Sequence, residues 1–200
     1  VLLNESKMDI TGKNIVISNN ANTFGAVHVA NKTEDSDYAD VATLDIKGEN
    51  IFIKNSAEKG DGVAAMSQGV VNIEGNTTNQ AQKAIAARGG AKVNVNTSGE
   101  NTVKMLGDID FDYDKGTSGT SIDAFIDVTL AGDESFWTGN TVVTYDEMPE
   151  AEKLAVSNAK LTMKDGAVWN ATKIADNKAD VKGRYYTALN DLVINGGTVN

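Results

Sequence analysis

The chain has no cysteine, one proline, one histidine and two arginines in 200 residues. Without thiols there is no disulfide scaffold, no thiolate metal site and no cysteine nucleophile. The single imidazole, His28, restricts any Ser-His-Asp triad or His-rich zinc site to one place. Eighteen Lys and Arg stand against 28 Asp and Glu, a net charge of −10 with a pI near 4.5. Phosphate recognition needs clustered cations that release counterions, so nucleic acid is not expected as a partner, and anionic lipid is disfavoured for the same reason. No run approaches the ~20 apolar residues that span a bilayer, and Val1 opens without a basic or apolar leader, so neither a transmembrane segment nor a targeting segment is expected in this stretch. This composition leans away from most enzymes, and no cofactor is expected.

What the chain does have is β-branched residues and turn formers. It holds 19 Val and 13 Ile against 9 Leu, with 18 Thr, 21 Asn and 19 Gly. Branched side chains fit a pleated, half-buried surface, while Asn and Gly accept the backbone of tight corners. The segment Met8-Asp9-Ile10-Thr11-Gly12-Lys13-Asn14-Ile15-Val16-Ile17-Ser18-Asn19 returns 36 residues later as Leu44-Asp45-Ile46-Lys47-Gly48-Glu49-Asn50-Ile51-Phe52-Ile53-Lys54-Asn55. Shorter apolar-polar-apolar echoes follow at Val71-Asn72-Ile73, Val93-Asn94-Val95, Ile109-Asp110-Phe111, Ile126-Asp127-Val128 and Leu161-Thr162-Met163, with an apolar counterpart at Leu192-Val193-Ile194. Small apolar runs at Gly25–Val29, Gly62–Met66 and Ala84–Ala87 suit a second strand position in each repeat.

Alternation over only three to five residues cannot bury its face in a sandwich built from long strands and tight hairpins, and hairpin dipeptides are scarce. Stacking the same short strand from successive turns of the chain buries that face continuously. The expected fold is an all-β, right-handed parallel β-helix, a solenoid with inserted loops, forming one unit over 1–200 and continuing beyond both ends. An irregular β-sandwich is the competing reading. Matching asparagines, Asn14 with Asn50 and Asn19 with Asn55, are expected to form side-chain ladders.

Two segments near the C-terminus share a strand, an acidic or Gly turn and a Trp four residues after an Asp: Val128-Thr129-Leu130-Ala131-Gly132-Asp133-Glu134-Ser135-Phe136-Trp137-Thr138-Gly139 and Leu161-Thr162-Met163-Lys164-Asp165-Gly166-Ala167-Val168-Trp169-Asn170. The chain closes on Leu189-Asn190-Asp191-Leu192-Val193-Ile194-Asn195-Gly196-Gly197-Thr198-Val199. This succession resembles the pertactin-like passenger domains of autotransporters, specifically over 128–200 and only in architecture over 1–127. The resemblance implies a right-handed β-helix exported through a Gram-negative-type outer membrane to the cell surface or medium. It also implies that this sequence is a piece of a longer passenger, without signal peptide or translocator barrel.

Several residues invite chemistry. Asp108, Asp110, Asp112 and Asp114 alternate, so in a strand they project on one face about 7 Å apart. They are calcium candidates, although an EF-type loop from Asp110 needs Gly and Glu where the chain has Lys115 and Ser121. The competing reading is an acidic edge on a solvated loop, with Ile109, Phe111 and Tyr113 facing the other way. His28, between Val27 and Val29, reads as a surface strand residue. Trp137 and Trp169 read as core or corner packing rather than carbohydrate platforms. Neither Gly116-Thr117-Ser118-Gly119 nor Gly132-Asp133-Glu134-Ser135 makes a serine-protease nucleophile segment, and Lys59-Gly60-Asp61 is too short to signify integrin binding. Two acidic segments leave the repeat pattern and are expected to be binding loops: Asn31–Asp40, with Glu34, Asp35 and Asp37, and Tyr145–Leu154, with Tyr145, Asp146, Glu147 and Glu150, the latter a protruding loop or short helix.

The expected function is therefore a non-enzymatic adhesin or display stalk. Its partner would be a host-surface or matrix protein, a glycan, or a second passenger. The alternative is a β-helical polysaccharide lyase or hydrolase, which needs converging carboxylates and cations.

Overall fold

A computed structural model describes residues 2–3, 6–21, 25–30, 41–113, 124–145, 158–172, 183–186 and 189–200, with backbone alone at 2–3, 112–113, 143–145 and 183–186. Among them there is no helix. The strands are β1 (Leu2–Leu3), β2 (Lys7–Asn19), β3 (Val27–Ala30), β4 (Thr43–Asn55), β5 (Asp61–Met66), β6 (Val70–Ala87), β7 (Lys92–Val95) and β8 (Val103–Tyr113). They continue with β9 (Phe125–Ala131), β10 (Phe136–Gly139), β11 (Thr141–Tyr145), β12 (Asn158–Lys164), β13 (Val168–Ala171), β14 (Gly183–Tyr186), β15 (Asp191–Asn195) and β16 (Thr198–Val199). All belong to one large sheet in which only the β11–β14 pairing is antiparallel.

Parallel neighbours cannot be joined by a hairpin, so each strand pairs with one well further along the chain. The register sorts the chain into three columns. In the first, Ile10, Ile46, Ile73, Val95, Val128, Leu161 and Leu192 lie opposite one another in turn. The second runs Ile17, Ile53, Asn79, Met105, Trp137, Trp169, Val199. The third runs Val27, Val63, Ile85, Ile109, Thr141. From Ile46 to Leu161 every member of the first column is at most 3 % exposed, because each rung's apolar side chain rests on the next. Each fully buried Ile or Leu contributes roughly 1.5–3 kcal/mol by leaving water.

The 36-residue repeat is thus the literal register of β2 on β4, from Lys7 opposite Thr43 to Asn19 opposite Asn55. The small apolar runs form the third column as expected. Three expectations need correction. Strands are longer than three to five residues, with β2 and β4 spanning 13 and β6 spanning 18, because the backbone stays extended around the bend between columns. Ile109-Asp110-Phe111 belongs to the third column, opposite Ile85-Ala86-Ala87, and not to the first. Asn19 and Asn55 share a register position but form no ladder: Asn19 Nδ2 donates to Gly25 O at 3.3 Å, and Asn55 Nδ2 donates to Ala21 O and Asp61 O at 3.1 Å each. Their amides satisfy backbone carbonyls at the corner leading to the third column, a local bond that competes with stacking.

The tryptophans have a packing role. Trp137 is fully buried and stacks on Trp169 with ring centroids 5.0 Å apart and planes 6° from parallel. Trp137 Nε1 donates to Gly107 O, and Trp169 Nε1 to Gly139 O, both at 2.9 Å. Each indole thereby bonds a glycine carbonyl one rung below. At Gly139 (φ +158°) a Cβ would run into the Gly107 carbonyl and the Trp137 indole nitrogen, so the Trp-Thr-Gly spelling follows from close approach.

Candidate functional site

A concavity among the described residues lies where the first column bends into the second. In β2 the bend reads Gly12-Lys13-Asn14 and in β4 Gly48-Glu49-Asn50, in register. In β6 it reads Gly75-Asn76, one residue shorter, and the β4–β6 register shifts between Lys47 and Asn50. Gly75 takes φ +144°, where a Cβ would collide with the Gly48 carbonyl. Asn50 Nδ2 donates to Asn14 Oδ1 at 3.0 Å, but Asn76 Oδ1 turns to accept from the Thr102 backbone N–H at 3.1 Å. The amide ladder therefore opens between Asn50 and Asn76. Beside it runs the outward stripe Val16, Phe52, Thr78, Lys104, one residue per rung. Together these enclose an open groove of about 460 Å³, completed by Glu134, whose carboxylate holds Lys104 Nζ at 3.1 Å.

A second polar array decorates the outer face of the first column. Asp9, Asp45, Asn72, Asn94, Asp127 and Lys160 occupy successive rungs. Asn72 Nδ2 donates to Asp45 Oδ1 and Asn94 Nδ2 to Asn72 Oδ1, each at 2.7 Å, while Lys160 Nζ meets Asp127 Oδ2 at 3.2 Å. The Asn72 bond, seconded by Lys7 at 3.2 Å, holds the Asp45 carboxyl below the usual carboxylate range despite the opposing effect of partial burial. The same pairing with Asp45 and Asp9 raises Lys7. The array is a ladder of hydrogen bonds and ion pairs running along the strand stack.

Of the aspartates at 108–114, Asp110 is not a solvated edge. It is fully buried, with Oδ2 2.9 Å from Lys83 Nζ, because its rung neighbours Ala86 and Val142 are buried too. Asp108 is partly buried and accepts the Asn140 backbone N–H at 3.0 Å. Ile109 and Phe111 face the core at 1 % exposure. The Asp112 side chain and Asp114 lie outside the described residues. No group of three or more His, Cys, Asp or Glu that could hold a metal occurs among the described residues. His28 is 8 % exposed and not a surface residue, since its column continues through buried Ala64 and Ala86. Burial, with Arg88 acting in the same direction, lowers its pKa. Asn31–Asp40 and 146–157 lie outside the described residues, so Glu34, Asp35, Asp37, Asp146, Glu147 and Glu150 receive no structural description; Tyr145 ends β11 by its backbone.

No helix among the described residues is long and apolar enough to cross a membrane. The chain matches no protein-family model, no curated protein and no solved structure. The groove itself escaped the sequence reading, which recognised Asn14 and Asn50 as a pair but not the open rung beyond them. Its signal was a one-residue deletion: nothing in Gly75-Asn76 corresponds to Lys13 or Glu49.

Proposed function

We propose that this chain is a segment of a surface-displayed, non-enzymatic passenger, similar to the pertactin-like autotransporters, whose strands wind as a right-handed parallel β-helix and whose corners carry binding loops. Right-handed crossovers are the rule for parallel strands joined within one sheet. The observation that carries the reading is the constancy of register across a corner of variable length. Residues 31–42 connect β3 to β4 and residues 67–69 connect β5 to β6, yet Thr43 still lies opposite Val70. The same corner, third column to first, is crossed by 114–124 and by 146–157. Segments 31–40 and 146–157 each carry four acidic residues and one lysine. A scaffold that holds its register while one corner varies supports display from one edge, facing a cationic or glycan-bearing surface.

The test displays the chain on a bacterium and deletes Asn31–Asp40 or Asp146–Lys153. Melting temperature should hold within a few degrees, because loop length costs little, while adhesion or cell aggregation should fall. Unchanged adhesion after both deletions would sink the reading. The polysaccharide-degrading alternative needs accessible carboxylates, and the Asp110 carboxylate is sealed from solvent and bound to Lys83. Release of reducing ends or unsaturated products from uronic-acid polymers by the purified chain would revive it.

A further inference from the structure

We propose that the groove at the bend between the first and second columns binds a neutral oligosaccharide lying along the direction in which the strands stack. The inference stands on the groove alone and is independent of the display reading. Its first support is the open rung. Asn50 Oδ1 and Asn76 Nδ2 form no hydrogen bond with the described residues, although both belong to a column in which neighbouring amides pair. An acceptor and a donor one rung apart match the paired hydroxyls of a sugar ring, which can give and take at once. Second, an apolar strip flanks the amides: Val16 is 71 % exposed and Phe52 half-buried on the next rung. That strip suits the C–H face of a pyranose, and the amides suit its hydroxyl edge.

Third, the groove offers no net charge. Lys104 is neutralised by Glu134, and the chain as a whole carries −10, so an acidic glycan gains nothing here. Fourth, Asn50 and Asn76 occupy adjacent rungs with Phe52 and Thr78 beside them, at the ~4.8 Å spacing of paired strands. That is about the length of a sugar unit, so successive units meet successive amides and successive stripe residues. An extended peptide advances only ~3.4 Å per residue and falls out of step; peptides also take sheet edges, where free backbone groups await them, and this groove lies on a sheet face. A volume of about 460 Å³ holds a short oligosaccharide rather than one ring.

The experiment is a titration of the ¹⁵N-labelled full chain with cellotetraose, maltotetraose, chitotetraose and β-1,4-galactotetraose. The side-chain amide signals of Asn50 and Asn76 should move for at least one probe, with a Kd of about 1 mM or tighter. Phe52→Ala and Asn50→Ala should each weaken that binding about tenfold in chains that still melt cooperatively, and Phe52→Tyr should retain it. Lys54→Ala, one stripe away, should change nothing. Four results would each overturn the inference: no neutral probe moves those two amides; tetragalacturonate moves them equally; a Gly-Ser tetrapeptide moves them equally; or the Phe52 and Asn50 variants bind as the parent does. Loss of adhesion on deleting the corner loops tests a different surface, so either proposal can fail alone.

Discussion

Residues 7–113 and 124–171 build the same three columns with different side chains. In the first region the second column is Ile17, Ile53, Asn79, Met105, and its rungs are held by branched aliphatic packing and by amide bonds between outward side chains. In the second region the column is Trp137 on Trp169, and each indole reaches back to a glycine carbonyl. Aliphatic stacking spreads its energy over many rungs and tolerates an odd member. Asn79 sits in that column at 3 % exposure, its Nδ2 spent on Ala84 O at 2.7 Å. The Trp arrangement concentrates packing, stacking and a hydrogen bond in one residue per rung, and it constrains the rung below to expose a carbonyl.

Substitutions can set the two regions against each other. The largest effect is expected from Ile46→Asp, which puts a carboxylate into a fully buried position between Ile10 and Ile73 and should cost about 5 kcal/mol. A melting temperature equal to the parent's would contradict the register of the first column. Trp137→Phe keeps a ring but removes the indole N–H, leaving Gly107 O without its donor, and should cost about 2–3 kcal/mol. Trp169→Phe should cost less, since Trp169 is only partly buried. Equal denaturation midpoints for the two would mean that burial does not set the contribution of the stack.

The smallest effect concerns the outer ladder. Asn72→Ala removes the donor that lowers the Asp45 pKa and should cost about 1 kcal/mol at pH 7. A depressed carboxyl stabilises the fold above its unfolded pKa and loses that contribution as pH falls through the folded value. The gap between parent and variant should therefore narrow below pH 4, as read from melting temperatures across a pH series. A gap that widens on acidification would assign the ladder's energy elsewhere.

Much of this architecture was legible in the chain because register is written in repetition. Ile10 and Gly12 recur as Ile46 and Gly48 and lie opposite them in the sheet, and Trp137 recurs as Trp169 in the same way. What could not be read were the outcomes of competition between partners. Asn19 and Asn55 look as ladder-ready as Asn14 and Asn50, yet nearby carbonyls claim their amides. Asp110 looks like one of four exposed acids, yet only the fold brings Lys83 from 27 residues away to bury it. The groove depends on a missing residue in β6, which periodicity registers as noise unless three bends are aligned together.

The absence of cysteine makes the central arrangement directly measurable, since paired spin labels go only where cysteines are introduced. Lys7, Lys92 and Asn158 are exposed and share one column, with Lys92 three rungs and Asn158 five rungs from Lys7. Double electron–electron resonance on Lys7→Cys/Lys92→Cys and Lys7→Cys/Asn158→Cys should give backbone separations of ~14 Å and ~24 Å, extended by the label arms, a linear growth at one strand spacing per rung. A Lys7–Asn158 distance equal to or shorter than Lys7–Lys92, as in a sandwich or a closed barrel that returns on itself, would contradict a stack of parallel turns.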